Sequence, residues 1–264
     1  MEGKKRYHNI RLLFSYFKFN LSTALEYRIP FILQVTFMTL NDIIWILYWY
    51  MLFLKFGTIN GYTFKHMLII YAVILIAHGV TRILFGNSNR LAEAIRDGKL
   101  DYYLTLPKNT LYHFLLGRSS VPAIGDLIMG IILLPLAITL TQIPLAFILV
   151  TLSGINYMSY HILTGSLAFY IRSSNDTSKT LNDSIIIASA MPTSVYQGMA
   201  KVITFTILPA GLIVGIPVEL LTTYSTQLLL IYAGATILLL TIALLVYNYG
   251  LKKYESGNTM GIRV

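Results

Sequence analysis

Several ionisable side chains lie within long apolar stretches of this sequence, where a charge is costly. Asp42 follows Asn41 in the middle of the first stretch, His78 and Arg82 lie four residues apart in the second, and Asp126 lies in the third. Such residues can mark ion or proton paths, but they also hold helices together through ion pairs and hydrogen bonds. Both roles stay open for Asp42, whereas we expect Arg82 and Asp126 to form a structural pair.

Polar residues also interrupt the fourth apolar stretch, where Asn156 and His161 could line a cavity or simply pack. A proton relay needs a continuous chain of acids or histidines, and Asp42, His78 and His161 are too sparse to predict one. An intramembrane enzyme would need a constellation such as paired acids. Asp42 and Asp126 are the only acids well inside the stretches, and we expect them to lie at different depths.

Several common catalytic and binding patterns are missing from the sequence. It contains no cysteine, which excludes disulfides, thiolate metal sites and cysteine nucleophiles. The five histidines do not have the spacing of a zinc site. No GxxxxGK[ST] loop occurs, so the chain is not expected to bind and hydrolyse ATP through such a loop. We predict no catalytic residue, no metal ligand and no bound cofactor.

Composition shows what must position these polar residues. The chain has 264 residues, of which 56% are hydrophobic and 12% charged, and its mean hydropathy is +0.67. The charged share is about half that of a soluble domain, so the solvent of this chain is largely lipid. The net charge of +9 fits basic cytoplasmic loops better than a nucleic-acid partner.

The sequence therefore predicts an all-α integral membrane protein with six transmembrane helices. Residues 1–28 are expected to form a cytoplasmic N-terminus whose amphipathic helix, over 10–28, lies in the membrane interface. Residues 29–250 form the six-span domain, and residues 251–264 a cytoplasmic tail. Five spans are predicted over 29–54, 65–86, 114–141, 145–171 and 227–250, with the loop 172–183 on the inner side.

The region 184–226 is apolar but interrupted by proline and glycine. It fits either two spans, or one span followed by a re-entrant outer hairpin over 201–222. The second alternative gives six spans and leaves most of the 20 Lys and Arg residues on the cytoplasmic side, as the positive-inside rule requires. The residues assigned to the hairpin are Pro209, Gly211, Gly215, Pro217 and Glu219.

The most specific feature is the inner loop 87–113, which reads NSNRLAEAIRDGKLDYYLTLPKNTLYH. A short charged helix is predicted to stop at a glycine, and the amphipathic segment LDYYLTLP follows it. Leucine, tyrosine and proline among charges are typical of a docking surface. The residues predicted to form it are Glu93, Arg96, Asp97, Gly98, Leu100, Asp101, Leu104 and Pro107.

At this loop the sequence resembles the membrane subunit of type-two (ABC-2-like) bacterial ABC exporters. The pattern G-x-L-D-x-x-L-x-x-P stands at Gly98–Pro107, and the closing pattern G-L-x-x-Y-E-S-G stands at Gly250–Gly257. The broken region around Pro209 and Pro217 occupies the place of that family's outer hairpin. The resemblance covers the whole chain.

The resemblance implies a permease subunit with no catalysis of its own. A separate ATPase dimer, which binds ATP and Mg, would dock on the loop near Glu93–Pro107 and drive export. A second permease, identical or different, would complete the path in a bacterial cytoplasmic membrane. The alternative is a stand-alone secondary transporter or channel that uses Asp42. Such transporters usually carry paired broken helices in two related halves, whereas this chain has one broken region.

Overall fold

A computed structural model describes residues 2–107, 109–171 and 174–254; of residues 2–9 and 174 it describes the backbone only. Within these ranges the regular structure is helical, apart from one isolated β-bridge. The α-helices are α1 (Glu2–Glu26), α2 (Arg28–Phe56), α3 (Phe64–Leu84), α4 (Leu91–Arg96), α5 (Leu100–Leu104), α6 (Thr110–Leu116), α7 (Ala123–Ala137), α8 (Ile143–Ser166), α9 (Ser174–Ser189), α10 (Met199–Thr206), α11 (Ile216–Thr222) and α12 (Thr226–Leu251).

Four helical segments are long and apolar enough to cross a membrane. They are α2, α3, α12 and Leu140–Phe169, which is α8 with its flanking 3-10 turns. These coincide with the predicted first, second, sixth and fourth spans, because an apolar run of about 20 residues has few folds besides a spanning helix. A multi-pass, all-helical membrane protein is therefore confirmed.

The predicted third span, 114–141, is not one helix. The chain breaks over 117–122, between α6 and α7, and α7 alone has 15 residues. At 1.5 Å per residue it is about 22 Å long, shorter than the roughly 30 Å of a hydrocarbon core. Backbone groups at the end of α3 form hydrogen bonds with the residues of this break. The Gly86 amide donates to the Arg118 carbonyl and the Ser120 amide donates to the Arg82 carbonyl, each at 3.0 Å.

Residues 184–226 contain several short helical pieces rather than one long helix. α9 begins at Ser174, so most of the predicted inner loop 172–183 is helical from there; Arg172 and Ser173 lie outside the described residues. α10 and the segment Gly211–Thr222 meet at an angle of 77°. That segment opens with a π-helical turn over Gly211–Gly215 and continues as α11. The break falls at Pro209, as predicted.

α3 is the centre of the bundle and packs against both α7 and α8. Two glycines allow α3 and α7 to approach closely. A Cβ added at Gly79 would lie 2.9 Å from the Cβ of Leu127, and one at Gly130 would lie 2.6 Å from Cγ1 of Ile76. Small residues at such contacts are the usual means of tight packing between membrane helices. α2, in contrast, buries only three residues: Asp42, Trp49 and Phe53.

α1 is a helix, as predicted, and it packs beside α6. Its predicted polar stripe is exposed throughout: Arg11, Ser15, Lys18, Ser22 and Glu26. The packed face carries two polar residues that the sequence did not single out. The Tyr16 hydroxyl lies 3.0 Å from Nδ1 of His113, and the Asn20 amide donates to the Leu116 carbonyl at 3.1 Å. Burial of Tyr16, together with the nearby tyrosines of α5, raises the pKa of its hydroxyl.

Candidate functional site

Ion pairs join the charged residues around the end of α4, in the loop 87–113 that was predicted to lie on the inner side. The Arg90 guanidinium donates to both carboxylate oxygens of Glu93 at 3.0 Å. The Lys99 ammonium reaches Glu93 at 2.7 Å and Asp97 at 2.9 Å, and Arg96 reaches Asp97 at 2.9 Å. Hydrogen bonds from Arg90 and Lys99 hold the pKa of Glu93 below its usual value, and those from Lys99 and Arg96 do the same for Asp97.

Gly98 gives the loop its sharp turn. Its φ of +71° lies in the left-handed region that favours glycine. The Lys99 amide donates to the Ala94 carbonyl at 2.9 Å and the Gly98 amide to the Ile95 carbonyl at 3.4 Å. This is the Schellman arrangement, which satisfies the last carbonyls of a helix and ends it. α4 therefore stops here, as the sequence predicts, and α5 starts in a new direction.

The loop is folded into the protein more deeply than its pattern predicts. Leu100 is fully buried, in a cluster formed with Leu91, Phe114 and Ile162. The expectation that this leucine belongs to an exposed surface is wrong, because α5 turns that side towards α6 and α8. The exposed apolar residues are Tyr102, Leu104 and Pro107.

The loop also contacts the C-terminal segment. Tyr254, just after α12, packs against the buried cluster that contains Leu100, and burial together with the nearby Asp101 carboxylate raises the pKa of the tyrosine. The Phe169 ring packs against Tyr254 and Tyr247, at centroid distances of 6.0 and 5.7 Å. A Cβ at Gly250 would collide with Phe169. The two patterns that carry the family resemblance thus meet in space; Glu255, Ser256 and Gly257 lie outside the described residues.

Within the bundle, the predicted pair between Arg82 and Asp126 does not form. Asp126 is buried, and its Oδ2 lies 2.7 Å from Nδ1 of His78. The Arg82 guanidinium instead faces the Gly86 carbonyl at 3.5 Å. The physical reason is the break before α7, which places Asp126 in the first turn of that helix. The same shift brings Asp126 within hydrogen-bonding reach of Asp42, so the expectation of different depths is also wrong.

The polar chain continues from His78 into α8. The Tyr157 ring packs edge-on against His78, with 5.4 Å between centroids, and lies 4.3 Å from the ring of His161. Nδ1 of His161 is 3.4 Å from the hydroxyl of Ser88, which lies at the beginning of the loop 87–113. Sequence reasoning singled out both histidines and noted Tyr157 as a polar residue of the fourth stretch. It did not predict that Tyr157 lies between them, although its place four residues before His161 puts it on the same helix face.

Asn156 links α8 to α12 rather than lining a cavity. Its amide donates to the Thr236 hydroxyl at 3.0 Å and to the Tyr232 hydroxyl at 3.4 Å. Ser153 lies 3.1 Å from the same tyrosine hydroxyl. All four residues are buried. Hydrogen bonds of this kind tie membrane helices together, so the contacts of Asn156 are structural.

The residues assigned to the outer hairpin lie at or beside the 77° bend. Pro209 precedes the π-helical turn that Gly211 and Gly215 delimit, and Pro217 and Glu219 lie in the first turn of α11. A Cβ at Gly211 would collide with the Phe205 ring, so this glycine permits close packing of α10 on the turn. An open cavity of about 510 Å³ lies alongside, lined by residues that include Tyr62, Tyr196, Lys201, Phe205 and Glu219.

Among the described residues, no group of three or more His, Asp or Glu side chains could hold a metal ion. The buried polar residues Asp42, His78, Asp126, Tyr157 and His161 can therefore form hydrogen bonds and exchange protons. The loop offers a contact surface of mixed apolar and charged character.

Comparison with known proteins places the chain in a family. The model of the ABC-2 family transporter protein matches residues 39–258, which is well over half of the chain. No curated protein and no solved structure matches it. The matched segment includes most of the bundle, the loop 87–113 and the bend before α12. The chain therefore belongs to the ABC-2 family of transporter proteins and is a membrane-spanning permease of an ABC transporter.

Proposed function

We propose that this chain, together with a second permease subunit, forms the translocation path of an ATP-driven exporter. A separate pair of ATPase subunits, carrying ATP and Mg, docks on the inner loop 87–113. The observation that supports this most is the form of the loop. It exposes Tyr102 and Leu104 beside a charged, hydrogen-bonded turn, while its other side is anchored in the bundle through Leu100.

Anchoring matters because a docking surface transmits force only if it moves with the helices behind it. α4 packs on α8, and Leu100 of α5 shares its buried cluster with Tyr247 of α12. A push on Tyr102 would therefore reach two long helices directly. α1 rests on α6 through Tyr16 and Asn20, so it would move with the same unit.

The proposed topology has six spans with both termini in the cytoplasm. Beyond the four long helices, α7 forms a short third span, and the fifth begins in the apolar second half of α9. The bent pair of α10 and Gly211–Thr222 forms a re-entrant hairpin on the outer side. Since the chain has no cysteine, single cysteines can test this topology. We expect a membrane-impermeant maleimide to label Leu140→Cys in intact cells, and Leu104→Cys only after the membrane is opened; the reverse pattern refutes the topology.

The function is tested by co-expressing the tagged chain with candidate ATPase and permease subunits, then measuring co-purification and ATP hydrolysis. The variant replaces Tyr102 and Leu104 with alanine. Its matched control replaces Tyr224 and Leu140, a tyrosine and a leucine that are similarly exposed at 60% and 80% but lie on the proposed outer side. We expect loss of ATPase association in the first variant only.

Two outcomes would refute the proposal. Equal loss in both variants would show that the loop is not the docking surface. A chain that purifies without any ATPase and still moves solute across liposomes would instead be a stand-alone transporter.

A further inference from the structure

Two buried carboxyl groups face each other between α2 and α7. Asp42 and Asp126 are 4% and 1% exposed, and their carboxyls lie within hydrogen-bonding reach of each other. Oδ2 of Asp42 and Oδ1 of Asp126 are both buried, and no side chain or backbone group among the described residues donates to them. Two ionised carboxylates in such contact would repel strongly where water is scarce. One proton shared between them supplies the missing hydrogen bond to both.

The charged and titratable groups around the pair are consistent with one shared proton. α3 contributes His78, bonded to the other oxygen of Asp126, and Arg82 one turn further on. α8 contributes Tyr157 and His161 behind His78, and Tyr71 and Tyr48 lie on the outer side of Asp42. With one proton on the pair, a single negative charge remains. The two basic side chains of α3, His78 and Arg82, lie near Asp126. Loss of the proton adds a second negative charge.

The pair also lies where it can control a helix. Besides Asp42, α2 buries only Trp49 and Phe53, and it passes close to Gly125 of α7. A Cβ there would lie 2.7 Å from the Val35 carbonyl. The contact between Asp42 and Asp126 therefore lies where it can hold the middle of α2 against α7.

We propose that Asp42 and Asp126 form a proton-binding site that holds α2 against α7 while the proton is shared and releases α2 when it is lost. The ligand is the proton itself, so α2 becomes an element whose position depends on the protonation of two buried acids. This goes beyond ATPase docking, because the loop and its partner take no part in it.

Infrared spectroscopy of the full chain in lipid nanodiscs tests the shared proton. A protonated carboxyl gives a carbonyl band that an ionised one lacks. We expect the wild type to show this band at neutral pH and Asp42→Asn to lose it, because the asparagine amide then donates to Asp126 in place of the shared proton. Asp183→Asn, which changes an exposed acid, is the matched control and keeps the band. A wild type without the band, or a band that persists in Asp42→Asn, overturns the proposal.

Tryptophan fluorescence tests the release of α2. The two tryptophans of the chain, Trp45 and Trp49, are both in α2, and Trp45→Phe leaves buried Trp49 as the reporter, with its indole nitrogen 3.1 Å from the Tyr71 hydroxyl. We expect quenching by brominated lipid to rise as the pH is raised. In Asp42→Asn the asparagine amide still donates to Asp126, so the rise should disappear. A rise of equal size in that variant, or none in the parent, refutes the release.

Discussion

Replacing Leu100 or Leu104 with alanine makes the same chemical change at two positions of one short helix, and burial alone predicts very different results. Leu100 is 0% exposed within its cluster, whereas Leu104 is 45% exposed. At about 0.8 kcal/mol per buried carbon, the three carbons removed from Leu100 cost about 2.4 kcal/mol. The cavity left behind brings the expected loss to about 2–5 kcal/mol.

The change at Leu104 should cost less than about 0.5 kcal/mol, because an exposed side chain leaves no cavity. The assay is thermal unfolding of each purified variant in the same detergent. Leu100→Ala should lower the midpoint by at least about 4 °C, and Leu104→Ala should leave it nearly unchanged. The two variants should differ in the opposite way in ATPase association. Leu104→Ala should weaken it more than Leu100→Ala, because only Leu104 is exposed to a partner. Equal thermal shifts would refute the assignment of the two faces of α5.

Three further outcomes are expected. Gly125→Ala should dislodge α2 and increase lipid quenching of its buried tryptophan, whereas Gly234→Ala, with nothing within 4 Å of the added Cβ, should have no such effect. Glu93→Gln should lower the unfolding midpoint at pH 7 but not at pH 3. Because the pKa of Glu93 is lowered in the folded protein, its ion pairs stabilise the fold fully at a pH above the usual glutamate pKa of about 4.3. That stabilisation is lost as the pH falls through the lowered pKa of the folded state. An undiminished difference at pH 3 would contradict that cause. Tyr254→Ala removes a ring that packs against the buried cluster of Leu100, so amide exchange over residues 98–104 should accelerate about fivefold, as a packing loss of about 1 kcal/mol predicts; unchanged exchange would refute the contact.

Hydropathy predicted the long helices correctly because the bilayer thickness sets their length. α2, α3 and α12 begin and end within about two residues of the predicted spans. The third span failed for a local reason. Gly117 and Pro122 break the helix, and the exposed backbone is satisfied by the end of α3, far away in sequence. Hydropathy averages over such a break.

The sequence predicts features of the site only where neighbouring residues determine them. Gly98 ends α4 because a left-handed residue is needed there, and a glycine after a charged helix is enough to predict this. The burial of Leu100 depends on which way α5 turns, which no periodicity in a five-residue helix can fix. The contacts of Asp101 with Tyr254, and of Asp42 with Asp126, join residues more than 80 positions apart. Their patterns identified candidates but not partners.

The central place of α3 has a consequence for biosynthesis. Two thirds of its most apolar window, 67%, is finally covered by protein, yet α7 and α8 are made later and emerge only after α3 has entered the membrane. Until then lipid must solvate the face that they will cover. A helix that enters the membrane before its partners must be apolar on all faces. The mean hydropathy of 2.1 over the most apolar part of α3 is high enough for this. His78 and Arg82 lie near the C-terminal end of α3, on the cytoplasmic side in the proposed topology, where headgroups can solvate them until α7 brings Asp126.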